Sequence, residues 1–177
     1  VTFRDCKFLH NRGNDGYMEP SRSAGAVFVG DASHVTFERC DFEDNSLKGS
    51  SSSIGGAAVR SDNADSVLRF LDCNFALNAL DPALPGTFGG AIYASGSVVM
   101  RRCTATGNIA QGGGTVLYAS GAVSILDECS FASNNNVSEV FVADGRTLTM
   151  SAAGGSSTFV VGLECEASAA SSGGCTA

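Results

Sequence analysis

The sequence is organised around one short segment that returns five times with small changes. Each copy places alternating apolar residues before a cysteine, and an asparagine follows five positions after that cysteine. Alternation with a period of two is typical of a β-strand, because successive side chains of a strand point to opposite faces. The five copies occupy residues 1–11, 35–45, 68–78, 99–108 and 123–134.

A second, glycine-containing motif keeps step with the first. It occupies residues 23–29, 55–60, 89–96 and 112–121, with a weaker copy at 138–145. Successive motif cysteines are 34, 33, 30 and 26 residues apart, which lies within the range of solenoid repeats. Each unit therefore predicts short strands, an asparagine corner, a variable loop and a further strand.

These repeats predict an all-β chain folded as a right-handed parallel β-helix of about five to six coils, with three short strands per coil. Right-handedness is expected from the chirality of parallel crossovers. A hairpin meander would need two-residue turns at regular short spacing, and the sequence lacks them. Residues 1–150 are predicted to form the repeats, and residues 151–177 a degenerate last coil with a Cys-containing cap or tail.

The alternation also predicts which side chains face inward and form ladders from coil to coil. Val1 and the phenylalanines before and after each cysteine should point inward, with Met100 and Ala105 replacing the rings in the fourth unit. One extra residue between Val123 and Cys129 predicts a bulge in the fifth. The predicted ladder residues are Phe3, Cys6, Phe8, Asn11, Phe37, Cys40, Phe42, Asn45, Phe70, Cys73, Phe75, Asn78, Cys103, Asn108, Cys129, Phe131 and Asn134.

The asparagines are expected at a corner, where a short side-chain amide bonds to the neighbouring coil and tolerates left-handed dihedrals. Insertions of variable length follow this corner at residues 12–24, 46–54, 79–88, 109–111 and 135–137. All should leave the solenoid at one edge, where variation between repeats meets a partner. The alternative is that they are tolerated surface loops without a role.

The seven cysteines fall into two groups. Adjacent coils place motif cysteines within the Cα range of disulfides, about 4.4 to 6.8 Å, but seldom at the required dihedral, so buried thiols are favoured over cross-coil bridges. Cys165 and Cys175 are expected to form a loop-closing disulfide, which implies an oxidising compartment. Asn136 begins an N-x-S tripeptide and is a candidate glycosylation site.

No metal or other cofactor is expected, because the sequence has no C-x-x-C and its only histidines are His10 and His34. The net charge of −7 and the scattered basic residues argue against nucleic acid as a partner. No apolar run approaches the about 20 residues of a membrane span. The first residue lies inside a repeat, so we expect a piece of a longer chain. The expected partners are proteins or neighbouring subunits at the end coils and the loop edge, or a carbohydrate.

The C-x-F-x-x-N segment at residues 40–45 and the GGAI segment at 89–92 resemble the repeats of chlamydial polymorphic outer-membrane proteins. They are also similar to pectin-lyase-like β-helix repeats in large secreted or surface proteins of algae and other microbes. The resemblance covers residues 1–145 and implies a right-handed β-helix with a surface, adhesive or structural role. Unit four departs from it by lacking the phenylalanine after Cys103, and residues 138–141 replace the fifth GGAI segment.

The same architecture carries polysaccharide lyases and glycoside hydrolases, which need acidic Ca²⁺ ligands with a base, or two carboxylates about 5 to 9.5 Å apart. Candidate acids are Asp5, Glu38, Asp72, Asp127, Asp41, Glu43 and Asp44. Because several alternate with arginines, a solvated mixed-charge ladder is favoured over a catalytic site. The leading hypothesis is a structural or adhesive segment of a larger extracellular or cell-surface protein, without catalytic residues. The alternative is a carbohydrate-active enzyme of the pectin-lyase-like class.

Overall fold

The fold comes from a computed structural model that describes residues 1–14, 24–49, 55–83, 86–121, 123–135, 138–143, 146–151 and 163–165. In this part of the chain every regular element is a β-strand. Strands one repeat apart pair in parallel, while strands that follow one another in the chain lie in different sheets. The predicted parallel β-helix is therefore confirmed.

Four sheets form the wall of the solenoid. Sheet A contains β1 (Thr2–Arg4), β5 (His34–Glu38), β9 (Val67–Leu71), β13 (Ser97–Arg101), β16 (Val123–Asp127) and β19 (Thr147–Ser151). Sheet B contains β2 (Lys7–Leu9), β6 (Asp41–Glu43), β10 (Asn74–Ala76), β14 (Thr104–Thr106) and β17 (Ser130–Ala132). Sheet C contains β3 (Arg12–Asn14), β7 (Ser46–Lys48) and β11 (Ala79–Leu80). Sheet D contains β4 (Val27–Val29), β8 (Val59–Ser61), β12 (Ile92–Ala94), β15 (Leu117–Ala119), β18 (Val140–Val142) and β20 (Leu163–Cys165).

We define a coil as one passage of the chain through sheets A, B, C and D. The first three coils supply a strand to all four sheets, and in the fourth an isolated bridge between Ile109 and Ala79 stands in place of a sheet C strand. The chain thus makes about four complete turns, slightly fewer than predicted. The expected three strands per coil are corrected to four in the first three coils. The proposed boundary at residue 150 stays a prediction.

Sheet C was not predicted, because its strands lie in segments that the sequence analysis assigned to loops. Leu47 and Leu80 each lie two residues after a corner asparagine, and both are buried. They form a second, small core cluster with Ala57 and Ala110. The insertions therefore begin with a short strand and become variable only after it. A recurring apolar residue two positions after the asparagine was the signal for this strand.

The main core is filled by the inward side chains of sheets A, B and D. Phe3, Phe37 and Phe70 pair in register on sheet A. Their rings stack with centroids 5.2 Å apart at both steps, and their planes differ by 11° and 6°. Phe37 and Phe70 are fully buried. The column is continuous because the phenylalanine of each of these coils lies three residues before the motif cysteine.

A second column of rings lies on sheet B. Phe8 stacks on Phe42 at 4.7 Å, and Phe42 stacks on Phe75 at 4.9 Å. The two columns meet edge to face, as between Phe37 and Phe42 at 5.2 Å and 77°. Edge-to-face contacts, as between these two columns, are an arrangement that aromatic quadrupoles favour.

Both columns stop at the fourth coil. Met100 pairs with Phe70 on sheet A, and Ala105 pairs with Phe75 on sheet B. Phe131 follows Ala105 on sheet B and is partly buried against the core. At the other end Val1 is 81% exposed, although it was expected to point inward, because the first coil has a neighbouring coil on one side only.

The bulge predicted in the fifth unit is wrong. β16 pairs with β13 without interruption, so that Ser124 lies opposite Val98 and Leu126 opposite Met100. Ser124 lies five residues before Cys129, as Val35 lies five residues before Cys40, and it takes the equivalent inward position. Ser124 is buried, and its hydroxyl has no hydrogen-bond partner among the described residues.

Candidate functional site

The corner asparagines form a hydrogen-bonded ladder along the solenoid. The side-chain Nδ2 donates to the Oδ1 of the next asparagine at 2.8 Å from Asn11 to Asn45, 2.9 Å from Asn45 to Asn78, 2.9 Å from Asn78 to Asn108 and 3.0 Å from Asn108 to Asn134. The same Oδ1 atoms accept the backbone N–H of the donor asparagine. Three of these asparagines are fully buried, so the ladder satisfies groups that water does not reach.

The ladder ends on a carboxylate. Asn134 Nδ2 donates to Glu139 Oε1 at 3.0 Å, which places a negative charge where the aligned amides present their donor end. None of the five asparagines uses the left-handed dihedrals that this residue type tolerates. The left-handed residue is the one before each of them, such as Asp44 with φ 49° and Leu77 with φ 57°. That residue makes the bend, which leaves the asparagine free to point its amide along the ladder.

The motif cysteines form a third ladder, between sheets A and B. Cys6, Cys40, Cys73, Cys103 and Cys129 are all free thiols, and no disulfide joins them. All except Cys6 are buried. Burial raises the pKa of Cys40, which keeps that thiol protonated near neutral pH.

The candidate acids at the corner between sheets A and B are paired with arginines. Arg39 binds Asp5 through Nε at 2.7 Å and Nη2 at 2.9 Å, and Arg102 binds Asp72 with the same two distances. These hydrogen bonds lower the pKa of both carboxyl groups. The residue before each motif cysteine has a positive φ and forms this corner. Its charge alternates along the solenoid, from Asp5 through Arg39, Asp72 and Arg102 to Glu128.

Two further candidate acids lie at the end of sheet A strands and are also paired. Arg4 Nε lies 2.6 Å from Glu38 Oε2, and Arg101 Nε lies 3.4 Å from Asp127 Oδ2. Each of these two carboxylates is therefore paired with an arginine of the neighbouring coil on the surface of the solenoid.

The acids of the second coil are spread along its surface rather than gathered. Arg12 Nη2 and His10 Nδ1 each lie 2.8 Å from Asp44 Oδ2, and together they lower the pKa of Asp44. Asp41 lies 3.6 Å from the Lys7 ammonium, and Glu43 is exposed on β6. The sequence-predicted acids therefore form the mixed-charge surface that the alternation with arginines favours.

The outward face of sheet D carries an aromatic stack that the sequence analysis missed. The Arg60 guanidinium lies 4.8 Å from the centroid of the Tyr93 ring. Tyr93 stacks on Tyr118 at 4.8 Å, and Tyr118 stacks on Phe141 at 5.2 Å. These residues occupy the middle position of the sheet D strands. The signal was an aromatic residue between two apolar neighbours in four of the five glycine-containing motifs, with Arg60 at the equivalent position of the second.

A returning loop covers this stack. Phe88 lies 5.1 Å from Tyr118 and 5.5 Å from Phe141, and its backbone bridges in parallel to Gly55 and Gly113. A Cβ atom added at Gly55 would lie 2.4 Å from the Tyr93 ring, so only glycine permits this approach. As a result Phe141 is only 6% exposed, although it points away from the core.

One cavity opens at the turns between sheets D and A in the first two coils. Its volume is about 340 Å³, and it is lined by Phe28, Gly30, Asp31, Asp62 and Asn63. Asp62 Oδ1 accepts from Arg60 Nε at 2.7 Å, while Asp62 Oδ2 is buried and lacks a hydrogen-bond partner among the described residues. Phe28 is 39% exposed. The cavity thus combines an aromatic edge with two carboxyl groups and an amide.

Other site predictions fall partly or wholly outside the described residues. Asn136, Cys175 and the side chain of Cys165 are among them, so the glycosylation site and the terminal disulfide stay predictions. Within the described ranges, no three His, Cys, Asp or Glu side chains converge as a metal site. The same ranges contain no helix with the length and apolarity to cross a membrane.

A protein-family model described as a right handed beta helix region matches residues 1–172. A comparison with curated proteins finds no match, and neither does a comparison with solved structures. The family match agrees with the parallel pairing of the strands and supplies the handedness expected from crossover chirality.

Proposed function

The chain belongs to the right-handed β-helix family, and from this premise we propose that it is a structural or adhesive segment of a larger secreted or cell-surface protein. In this role it is a stiff scaffold for contacts with proteins or surfaces. The observation that carries the proposal is the continuity of its ladders. Asparagine amides link five successive coils, and phenylalanine rings link the first three.

Stiffness follows from the way these ladders are connected. Bending the solenoid would separate coils on one side, and each separation would break buried amide hydrogen bonds and ring contacts together. A buried hydrogen-bonding group left without a partner costs about 1 to 3 kcal/mol. Repeat proteins whose coils contact only their neighbours are suited to form extended binding surfaces.

The loop edge above sheet D is the proposed contact surface. Segments of different length precede the sheet D strands in the sequence, and Phe88 anchors one of them on Tyr118 and Phe141. Recognition loops typically vary in sequence and length while a rigid scaffold holds their ends in place. The end coils supply a second kind of contact, because unpaired strand edges associate with other strands.

The extracellular location is proposed from the resemblance of the repeats to secreted and surface proteins. Antibodies against the recombinant chain should label intact cells of the source organism without permeabilisation. Beads coated with the chain should adhere to the same cells, and Phe88→Ala should weaken adhesion more than a change at exposed Thr149. Labelling that appears only after permeabilisation would contradict the proposal.

A carbohydrate-active enzyme is the second candidate, and the cavity beside Phe28 is the observation that favours it. Asp31 and Asp62 line this cavity, and Arg60 lies within hydrogen-bonding distance of Asp62. An enzyme at this place should release unsaturated products or new reducing ends from polygalacturonate. Asp62→Asn should abolish that release, while Asp41→Asn, at an exposed carboxylate, should not. Absence of any product from a panel of acidic and neutral polysaccharides would leave the scaffold as the function.

A further inference from the structure

The five motif thiols are held in a repeated geometry. Each Sγ donates to the backbone carbonyl two residues before its own cysteine, at 3.1 to 3.4 Å. Cys73 also donates to Phe37 O, and Cys103 to Phe70 O, both at 3.4 Å. Because equivalent acceptors hold equivalent thiols, neighbouring Sγ atoms are related by the same displacement as neighbouring coils.

That displacement matches a simple coordination geometry. Neighbouring strands of a sheet lie about 4.7 to 4.9 Å apart. Two metal–sulfur bonds of about 2.3 Å placed end to end span about 4.6 Å. An ion midway between two adjacent Sγ atoms would therefore bind both in line, without a change in the spacing of the coils.

The surroundings of the ladder select the kind of ion. Zinc sites take four ligands, and the described residues offer no cluster of three or more. Thiolates select soft metal ions. On binding, two S–H bonds break, two metal–sulfur bonds form, and two protons leave to solvent. A divalent ion then gives a neutral unit, whereas a monovalent ion would leave a negative charge in an apolar core, which is costly.

We propose that the cysteine ladder binds soft divalent ions that accept two thiolates in line, and that each ion takes two adjacent thiols which it shares with no other ion. The mercuric ion is the probe of this chemistry. Five thiols in one row accommodate two ions and leave one thiol over. Cys6, the only partly exposed member, marks the end of the row nearest to solvent. The proposal is independent of the adhesive or enzymatic function.

The experiment measures how many Hg²⁺ ions the reduced, folded chain retains after gel filtration in a monothiol buffer. All proteins carry Cys165→Ser and Cys175→Ser, so that only the ladder contributes. Mass spectrometry of the native protein counts the ions. X-ray absorption reports the coordination, and two sulfur neighbours without nitrogen or oxygen are expected. Circular dichroism verifies that each variant keeps its strands.

Pairing of neighbours predicts an alternating result for single Cys→Ser changes. Variants at Cys6, Cys73 or Cys129 leave two disjoint neighbouring pairs and should retain two ions. Variants at Cys40 or Cys103 leave one thiol isolated and three in a row, so they should retain one ion. Two independent positions therefore test the loss, and Cys→Ala serves where serine prevents folding.

Other outcomes overturn the proposal. Independent binding by each thiol would lower the count equally for all five variants. Thiols that serve only as small buried hydrophobes would retain no ion until the chain unfolds. A single ion lost with Cys6 alone would indicate binding at the accessible end rather than along the ladder.

Discussion

Aromatic side chains stack along the solenoid axis in two regions, once inside the first three coils and once outside sheet D. The inner columns lie in the main core, and their members Phe37, Phe42 and Phe70 are fully buried. The outer stack has the core behind it but only a returning loop in front, and Tyr93 and Tyr118 remain half-buried. Both stacks follow from placing the same residue type at the same position of successive coils.

The two stacks overlap only in part, since the rings move outward along the chain. In the fourth coil Met100 and Ala105 fill the interior, while Tyr118 lies outside on the same coil. The spacing of the coils brings rings together in either place. The surroundings determine how much each ring contributes to stability, because free energy scales with the apolar area removed from water.

The largest expected effect is at the centre of the inner columns. Phe37→Ala removes a ring that contacts Phe3, Phe70, Phe8 and Phe42, and it should lower the free energy of unfolding by about 3 to 5 kcal/mol. Denaturant unfolding measures the loss. Thr36→Ala, on the same strand, is the control. If Phe37→Ala lowered the free energy of unfolding by less than Tyr118→Ala in the outer stack, burial would not determine how much each stack contributes.

The asparagine ladder runs through both regions. Replacing one of its asparagines should therefore lower the free energy of unfolding by the same amount in each region. Asn78→Ala and Asn108→Ala each leave several buried groups without a hydrogen-bond partner. Each change should lower the free energy of unfolding by about 3 kcal/mol. Chemical denaturation of the two variants tests the equality. A much smaller cost at Asn108, where the inner rings are missing, would show that the ladder depends on the phenylalanine columns.

The outer stack should contribute less than the inner one. Tyr118→Ala keeps the core intact and removes contacts with Tyr93, Phe88 and Phe141, so we expect a loss of about 1 to 2 kcal/mol. Limited proteolysis should show faster cleavage in the loop that carries Phe88. If Tyr118→Ala unfolded the chain as readily as Phe37→Ala, the outer face would have to be counted as core.

The smallest effect is expected at the exposed ion pairs. Arg102 lowers the pKa of Asp72 below its usual value of about 3.9. A depressed folded-state pKa contributes stability above the unfolded value, and that stability is lost as the pH falls through the folded pKa. Arg102→Ala should therefore lower stability slightly at pH 7 and not at all well below the pKa of Asp72. Arg69→Ala, at another exposed arginine, should show no such pH dependence.

The sequence allowed the repeated parts of the fold to be predicted. Counting back from each cysteine placed Phe37 opposite Phe70, and the asparagine five residues later marked the corner. Sheet C was missed because Leu47 and Leu80 begin segments whose later residues are polar and variable. The register at Ser124 was missed because a buried serine broke the apolar alternation.

The outer stack was harder to predict for a different reason. Tyr93 and Tyr118 lie on the face that alternation assigns to solvent, and nothing local shows that a distant loop returns over them. The cavity beside Phe28 depends on turns of unequal length, which repeats describe poorly. The ion pairs could be anticipated, since Asp72 and Arg102 occupy equivalent positions of adjacent coils.

The alternating charges at the corner between sheets A and B limit how this solenoid can be lengthened or shortened. Removing the coil that carries Asp72 would bring Arg39 next to Arg102, with like charges at the spacing of one coil. Removing or inserting two adjacent coils would keep opposite charges together. Whole coils should therefore be added or removed in pairs when this chain is engineered.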